Sequence, residues 1–293
     1  MKILEKNKLC RGFRPLVRLA LLLAAGSVAA TVAAQPAARM GISPDRYDIV
    51  FGEGGGDTQS LMIQNLSEED ITITLSVRHW DLDEAGQLRI LPPTEQSLDQ
   101  WIVLNPVRVT VPPGTPQTVR WAIMPRLKPQ SGEYRAMLFV EEALDGQTTG
   151  GGTRVRMKMR YGLPIYAHVG ERIQDATLHG VNVDRDNNRI YLDLANTGNS
   201  HGRLAGYYGI WAAADFPGAD QAMKQLDRVI AGRNGEAPLT VGQVPGVVLL
   251  PGNRRQVAVD VDLAEAGDYI VLLDTEFAGL EITETVSLTQ PES

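Results

Sequence analysis

Residues 71–77 read Ile-Thr-Ile-Thr-Leu-Ser-Val. The odd positions are apolar and the even ones polar. Successive side chains of a strand point to opposite faces, so this run sets one face on a core and the other in water. Val119, Trp121 and Ile123 repeat the period of two. Between such runs stand turn formers: Gly54-Gly55-Gly56, Glu84-Ala85-Gly86 and Pro112-Pro113-Gly114. Working outward from 71–77, strands are predicted over 47–51, 58–65, 71–80, 87–91, 101–105, 108–111, 117–124, 132–142 and 153–166. Seven to nine short strands in about 130 residues predict a β-sandwich of immunoglobulin type.

A second set of runs follows near Val169, over 176–184, 189–196, 203–212, 247–250, 254–263, 267–277 and 281–288, with Asp186-Asn187-Asn188 as a hairpin turn. One stretch, 220–231, has helical spacing at Met223, Leu226, Asp227 and Ile230. The fold class expected is therefore all-β: two immunoglobulin-like β-sandwich domains in tandem. The first spans 35–168. The second spans 169–293 and carries a short helical insertion. The connection near 167–170 is short, which favours a fixed angle between them.

The first 34 residues belong to neither. Six basic side chains (Lys2, Lys6, Lys8, Arg11, Arg14, Arg18) precede an apolar run from Leu19 to Ala34 that ends in small residues. That order is a secretory signal peptide, cleaved before Gln35. At 16 residues the run falls short of the roughly 20 needed to span a bilayer. The expected location is a bacterial periplasm or the cell surface, reached by export through the inner membrane, without stable membrane insertion after cleavage. Cys10 is the one cysteine, so the mature chain has no thiol or disulfide chemistry.

The whole chain has 28 basic and 35 acidic residues. Without the leader, 22 basic and 34 acidic remain, a net charge of −12. Such a body is not built to hold nucleic acid over a broad surface. The charge is unequally shared: residues 35–168 carry a net −3 and residues 169–293 a net −9.

One segment departs from this acidity. Residues 153–161 read Thr-Arg-Val-Arg-Met-Lys-Met-Arg-Tyr, after a Gly-rich approach. On a strand, Val155, Met157, Met159 and Tyr161 point one way; Arg154, Arg156, Lys158 and Arg160 point the other. A half-buried strand with its apolar side in its own core satisfies this pattern. So does an edge strand kept for a partner, where Lys and Arg resist wrong pairing and Met adapts to several clients. Four such apolar residues, fully buried, contribute up to ~6–12 kcal/mol before ordering costs.

Over most of 40–168 the chain resembles the PapD-like periplasmic chaperones that assemble pili and fimbriae. The resemblance rests on Ser43-Pro44-Asp45-Arg46 before a strand, the Asn65-Leu66-Ser67-Glu68 turn, Asn105-Pro106, and Pro112-Pro113-Gly114 before 117–121. It continues with Gly132-Glu133-Tyr134-Arg135 leading into Leu138-Phe139, and with the alternating strand ending Tyr161-Gly162-Leu163-Pro164. It implies that the last strand of the first domain is lent to a subunit lacking one strand, at Val155, Met157, Met159 and Tyr161. The subunit is then delivered to an outer-membrane usher. Two basic side chains would hold the subunit's terminal carboxylate. The first anchoring position aligns with Asp48, so Arg46, two residues earlier on the same face, would substitute. The second falls near Met159, between Lys158 and Arg160. No cofactor, metal or catalysis is implied. The alternative is a non-chaperone structural or adhesive immunoglobulin-like module of the cell envelope.

Other chemistries find no support in the residues. His79, His168, His179 and His201 are scattered singly, where a metal site needs clustered ligands. Neither Asp-rich turn, at 81–86 or at 184–188, has the Gly at position six together with the Glu at position twelve of a calcium loop. Gly54-Gly55-Gly56 has no Lys-Ser/Thr after it and so is no phosphate loop. Trp80, Trp101 and Trp121 lie on apolar strand faces and are expected in cores.

Overall fold

The computed structural model describes residues 39–52, 54–56, 58–143, 159–263 and 265–291. The leader and, in the basic-and-apolar strand, Val155, Met157 and Lys158 lie outside the described residues.

In chain order the first sandwich comprises β1 (Met40–Ser43), β2 (Tyr47–Val50), β3 (Gln59–Asn65), β4 (Ile71–Arg78), β5 (Trp80–Leu82), β6 (Leu88–Ile90), β7 (Ile102–Asn105), β8 (Arg108–Val111), β9 (Pro116–Ile123), β10 (Gly132–Glu142) and β11 (Arg160–Val169). The second comprises β12 (Ala176–Asp184), β13 (Arg189–Asn196), β14 (Gly202–Arg203), β15 (Ala205–Ala212), α1 (Ala219–Ile230), β16 (Thr240–Gln243), β17 (Val248–Leu249), β18 (Arg254–Asp260), β19 (Gly267–Phe277) and β20 (Leu280–Gln290). The chain is all-β, as its alternation predicts, with the one helix near its expected place. The alternation does not predict β1 or β16, which are four-residue edge strands too short for a period to show.

A four-stranded sheet, β1-β3-β9-β7, faces a five-stranded one, β2-β11-β10-β4-β8. Between them Leu61, Ile63, Ile71, Ile73, Trp101, Val119, Trp121, Leu138 and Ile165 are buried to within 2 % of complete. The alternation at 71–77 works as expected: Ile71, Ile73 and Leu75 are buried, while Thr74 is exposed. Tyr47 meets Trp121 edge to face at 4.8 Å, a favoured aromatic geometry. The second core is separate, built from Ile190, Leu192, Leu194, Val257, Val259, Val271, Leu273 and Phe277 among others. Its sheets are β12-β13-β18 and β16-β15-β19-β20, with β14 pairing β17.

Both sandwiches use the same device where a strand ends. Asn65, fully buried, donates Nδ2 to the carbonyls of Val111 and Glu69 at 2.8 and 2.7 Å, while its Oδ1 accepts from the Ser67 N–H at 2.9 Å. Asn196 does likewise, donating to Ser200 and Leu249 carbonyls at 2.9 and 3.0 Å and accepting from the Gly198 N–H at 3.0 Å. A buried amide is costly unless its groups are bonded, and here each amide bonds backbone groups at the end of its strand.

Helix α1 lies over the outer face of β15 and β19. It buries Ala222, Gln225 and Leu226 against Trp211 and Leu272. The predicted stripe through Met223 and Ile230 is rotated: Met223 is half-buried and Ile230 is 40 % exposed. The reason is Trp211, whose indole N–H donates to Gln225 Oε1 at 2.9 Å and so brings a polar residue to the buried face.

Candidate partner-binding edge and the junction beside it

Strand β11 is paired along its whole length with β10, from Arg160 opposite Glu141 to Val169 opposite Gly132. Its other side is covered only in part. The short strand β2 runs parallel to it from Ile165 to His168. From Arg160 to Pro164 no strand lies on that side among the described residues.

The backbone there points outward in a defined pattern. The Glu142 N–H donates to the Met159 carbonyl, so Met159 and alternate residues beyond it bond to β10. Arg160, Gly162 and Pro164 therefore turn their backbone groups to the open side. The His168 carbonyl, in the same phase, confirms this by accepting from the Phe51 N–H at 2.9 Å on the β2 side. Pro164 has no N–H to leave unpaired, which suits a residue on an edge. Tyr161 is half-buried against the first core and Leu163 is buried in it. Met159 is half-buried and Arg160 exposed, the alternation expected of 153–161.

Arg160 is already engaged. Its Nε lies 2.8 Å from Glu141 Oε1, and its guanidinium stands 3.7 Å over the Phe139 ring. Gly162 makes room beside it: a Cβ there would come within 3.1 Å of Met137 Sδ and 3.3 Å of Phe139 Cε1. Met137, Phe139, Trp80 and Tyr166 form a small cluster on the outer face of the sheet, and Leu250 of the second sandwich completes it. Of the three tryptophans of the first sandwich, Trp101 and Trp121 are in its core, while Trp80 packs at the junction.

The open edge runs toward a polar junction between the sandwiches. Arg46, exposed and one residue ahead of β2, forms no ion pair among the described residues; its charge is felt at Tyr166. Asp48, on β2, is paired with Arg172 of the connection to the second sandwich. Glu133, on β10, is 2 % exposed at its side chain and accepts twice from His201: from the backbone N–H at 2.8 Å and from Nδ1 at 2.6 Å. His201 also stacks on Tyr166 at 3.7 Å and sets Nε2 3.7 Å from Asp48 Oδ2. Burial, reinforced by the Glu133 charge, pushes the Tyr166 phenol up to about 12. His168 sets Nε2 3.2 Å from Asn199 Oδ1. That same oxygen accepts from the Ile173 N–H at 2.8 Å, and Asn199 Nδ2 donates to the Glu171 carbonyl.

By resemblance Asp48 aligns with a carboxylate-anchoring position, whereas His168 and His201 read as isolated in the sequence. They lie here because the two sandwiches pack against each other at this junction, a pairing no local pattern records. Among the described residues no group of three His, Cys, Asp or Glu is arranged to hold a metal. A groove of about 420 Å³ lies between the β5–β6 hairpin and the 252–255 turn. It is lined by Asp83, Glu84, Arg89, Arg254 and Arg255, of mixed charge.

No protein-family description and no curated protein sequence matches the chain. Solved structures do resemble it, at low identity. The CsuC–CsuE chaperone–tip adhesion subunit pre-assembly complex of Acinetobacter baumannii Csu pili superposes with a TM-score of 0.44 and 16 % identity, over 87 % of this chain and 100 % of that one. The Salmonella enterica SafA pilin–SafB chaperone complex gives 0.43 and 10 %, over 86 % and 96 %. The E. coli chaperone DraB gives 0.41 and 12 %, over 85 % and 96 %.

Proposed function

We propose that this chain is a periplasmic chaperone-like protein that holds a strand-deficient client by adding an edge strand to it. The observation that carries the reading is the side of β11 from Arg160 to Pro164, along which no strand lies among the described residues and which ends where β2 begins at Ile165. A client strand laid on it would pair with backbone groups of Arg160 and Gly162 and set its apolar side chains beside Tyr161 and Leu163. Pairing of this kind draws affinity from the backbone and specificity from alternate side chains. The sequence alternation predicts that this edge reaches back from Met159 to Met157 and Val155, which lie outside the described residues. The client class is a pilus or fimbrial-type surface subunit, and delivery is to an outer-membrane usher. Arg46, at the end of the free edge, is the cation best placed for a client carboxylate. Arg160 is held by Glu141 and Phe139, so in that role it would first have to leave them.

Co-expression in the periplasm with a subunit encoded beside this chain tests the reading. The wild type should retain the subunit on affinity capture. Met157→Arg and Met159→Arg should each leave the circular dichroism unchanged and abolish retention. Undiminished client recovery in both variants would show that the edge is not the binding site.

A further inference from the structure

The contacts of His201 form a compact charge cluster that ties the second sandwich to three strands of the first. Glu133 reaches it from β10, Asp48 from β2 and Tyr166 from β11. Two further cations share the carboxylates. Arg135 stands 3.7 Å from the other Glu133 oxygen and 3.6 Å from Asp81, and Arg172 pairs with Asp48. Arg203, two residues along from His201, and Arg46, ahead of β2, both act on Tyr166.

The hydrogen bonds fix the imidazole's orientation. Glu133 Oε2 can only accept while ionised, so His201 Nδ1 carries a proton toward it. What remains to change is Nε2, which faces Asp48. With Nε2 protonated, the ring is a cation between two carboxylates. With Nε2 bare, its lone pair is turned toward the Asp48 oxygen, and the bond to Glu133 loses its charge assistance. Glu133 Oε1 accepts no hydrogen bond, so this carboxylate depends on the charges around it.

We propose that His201 is a pH-responsive clamp: its protonation tightens the junction between the sandwiches and its deprotonation loosens it. Histidine is the side chain that ordinarily changes charge between about pH 5 and 8. The Arg172–Asp48 pair keeps the deprotonated junction assembled, while Arg135, on the same strand as Glu133, only leaves that carboxylate a cation within the first sandwich. The clamp concerns the junction alone and does not rest on the client reading.

Amide hydrogen exchange in the intact protein tests this, because the His201 N–H itself donates to Glu133 Oε2. Its protection, corrected for intrinsic exchange, should fall about tenfold between about pH 5.5 and about pH 8. Amides of Leu192 and Val271, in the second core, should not follow. In His201→Gln the fall should vanish. Equal protection of the His201 amide at both pH values in the wild type overturns the proposal, and that comparison decides it even if the variant fails to fold. A variant that folds and keeps the full pH dependence overturns it too.

Discussion

Asp48 and Arg172 form an ion pair that joins β2 to the connection between the two sandwiches. Both side chains are more than a third exposed, so the pair is worth no more than about 1 kcal/mol to stability. Its larger effect is electrostatic. Asp48 neutralises Arg172 and adds a negative charge beside Arg46, at the end of the open edge of β11. If a client carboxylate docks there, Asp48 opposes it. Asp48→Asn should therefore leave thermal stability within about 1 kcal/mol of wild type and strengthen client retention, most visibly at low salt. Weaker retention in this variant, measured by capture at two ionic strengths, would place the carboxylate elsewhere.

The two buried asparagines make a sharper stability prediction. Asn196→Ala removes the donor that serves the Ser200 and Leu249 carbonyls and the acceptor of the Gly198 N–H. The Gly198 N–H still donates to the Asp175 carbonyl at 3.0 Å and Leu249 stays paired with Gly202, so what is lost is chiefly one donor to each of the Ser200 and Leu249 carbonyls, a cost of about 1–2 kcal/mol. Asn65→Ala should cost a similar amount in the first sandwich, where the Val111 and Glu69 carbonyls each lose one donor. Urea denaturation of each variant measures it. A loss under half a kcal/mol for both would mean that water replaces the amide at no cost.

The fold was legible because the side chains of a half-buried strand must alternate. Residues 71–77 and 119–123 show this, and 132–142, 176–184, 189–196 and 267–277 begin and end where the sequence places them. The predicted strand over 153–166 instead appears as Arg160–Val169 within the described residues, extending three residues further. It continues because β2 pairs it there in parallel, a long-range contact with no local signature. The rotated helix has a similar cause. Gln225 reads as a solvent residue until Trp211, fourteen positions away, supplies a donor. Arg46 and the basic segment were visible as candidates. The His201–Glu133 contact, 68 residues apart and between separate cores, was not.

Tyr166 sets an alkaline limit. Its folded value, pushed up to about 12, lies above the ordinary phenol value of 10.0. Between those two values the unfolded chain has lost the proton and the native one retains it, so the native state binds more protons and stability falls as pH rises. The contribution is fully present below pH 10 and is lost as pH climbs through 12. Tyr166→Phe should flatten that part of the stability–pH curve and remove one late phenolate transition from the ultraviolet titration. An unchanged titration would mean that another tyrosine ionises last.

Gly198 tests how tightly the connection is held. The loop at 196–199 lies against it backbone to backbone: the Thr197 and Gly198 N–H groups donate to the Asp175 carbonyl at 2.9 and 3.0 Å, and the Asn199 N–H donates to the Ile173 carbonyl at 3.0 Å. A Cβ at Gly198 would fall 2.3 Å from the Ile173 oxygen. That oxygen is backbone and is fixed by the same bonds, so it cannot yield as a flexible side chain would. Gly198→Ala must separate the loop from the connection, at a cost of about 2–3 kcal/mol. The loss also weakens the coupling between the sandwiches, because Asn199 is the residue that holds Glu171, Ile173 and His168 together. Urea unfolding followed by tryptophan fluorescence separates the two effects: Trp101 and Trp121 report the first core and Trp211 the second sandwich. In the variant the second transition should move to lower urea while the first stays near its wild-type midpoint. Transitions that shift together by the same amount would mean that the two cores unfold as one unit and that this loop is not where their coupling resides.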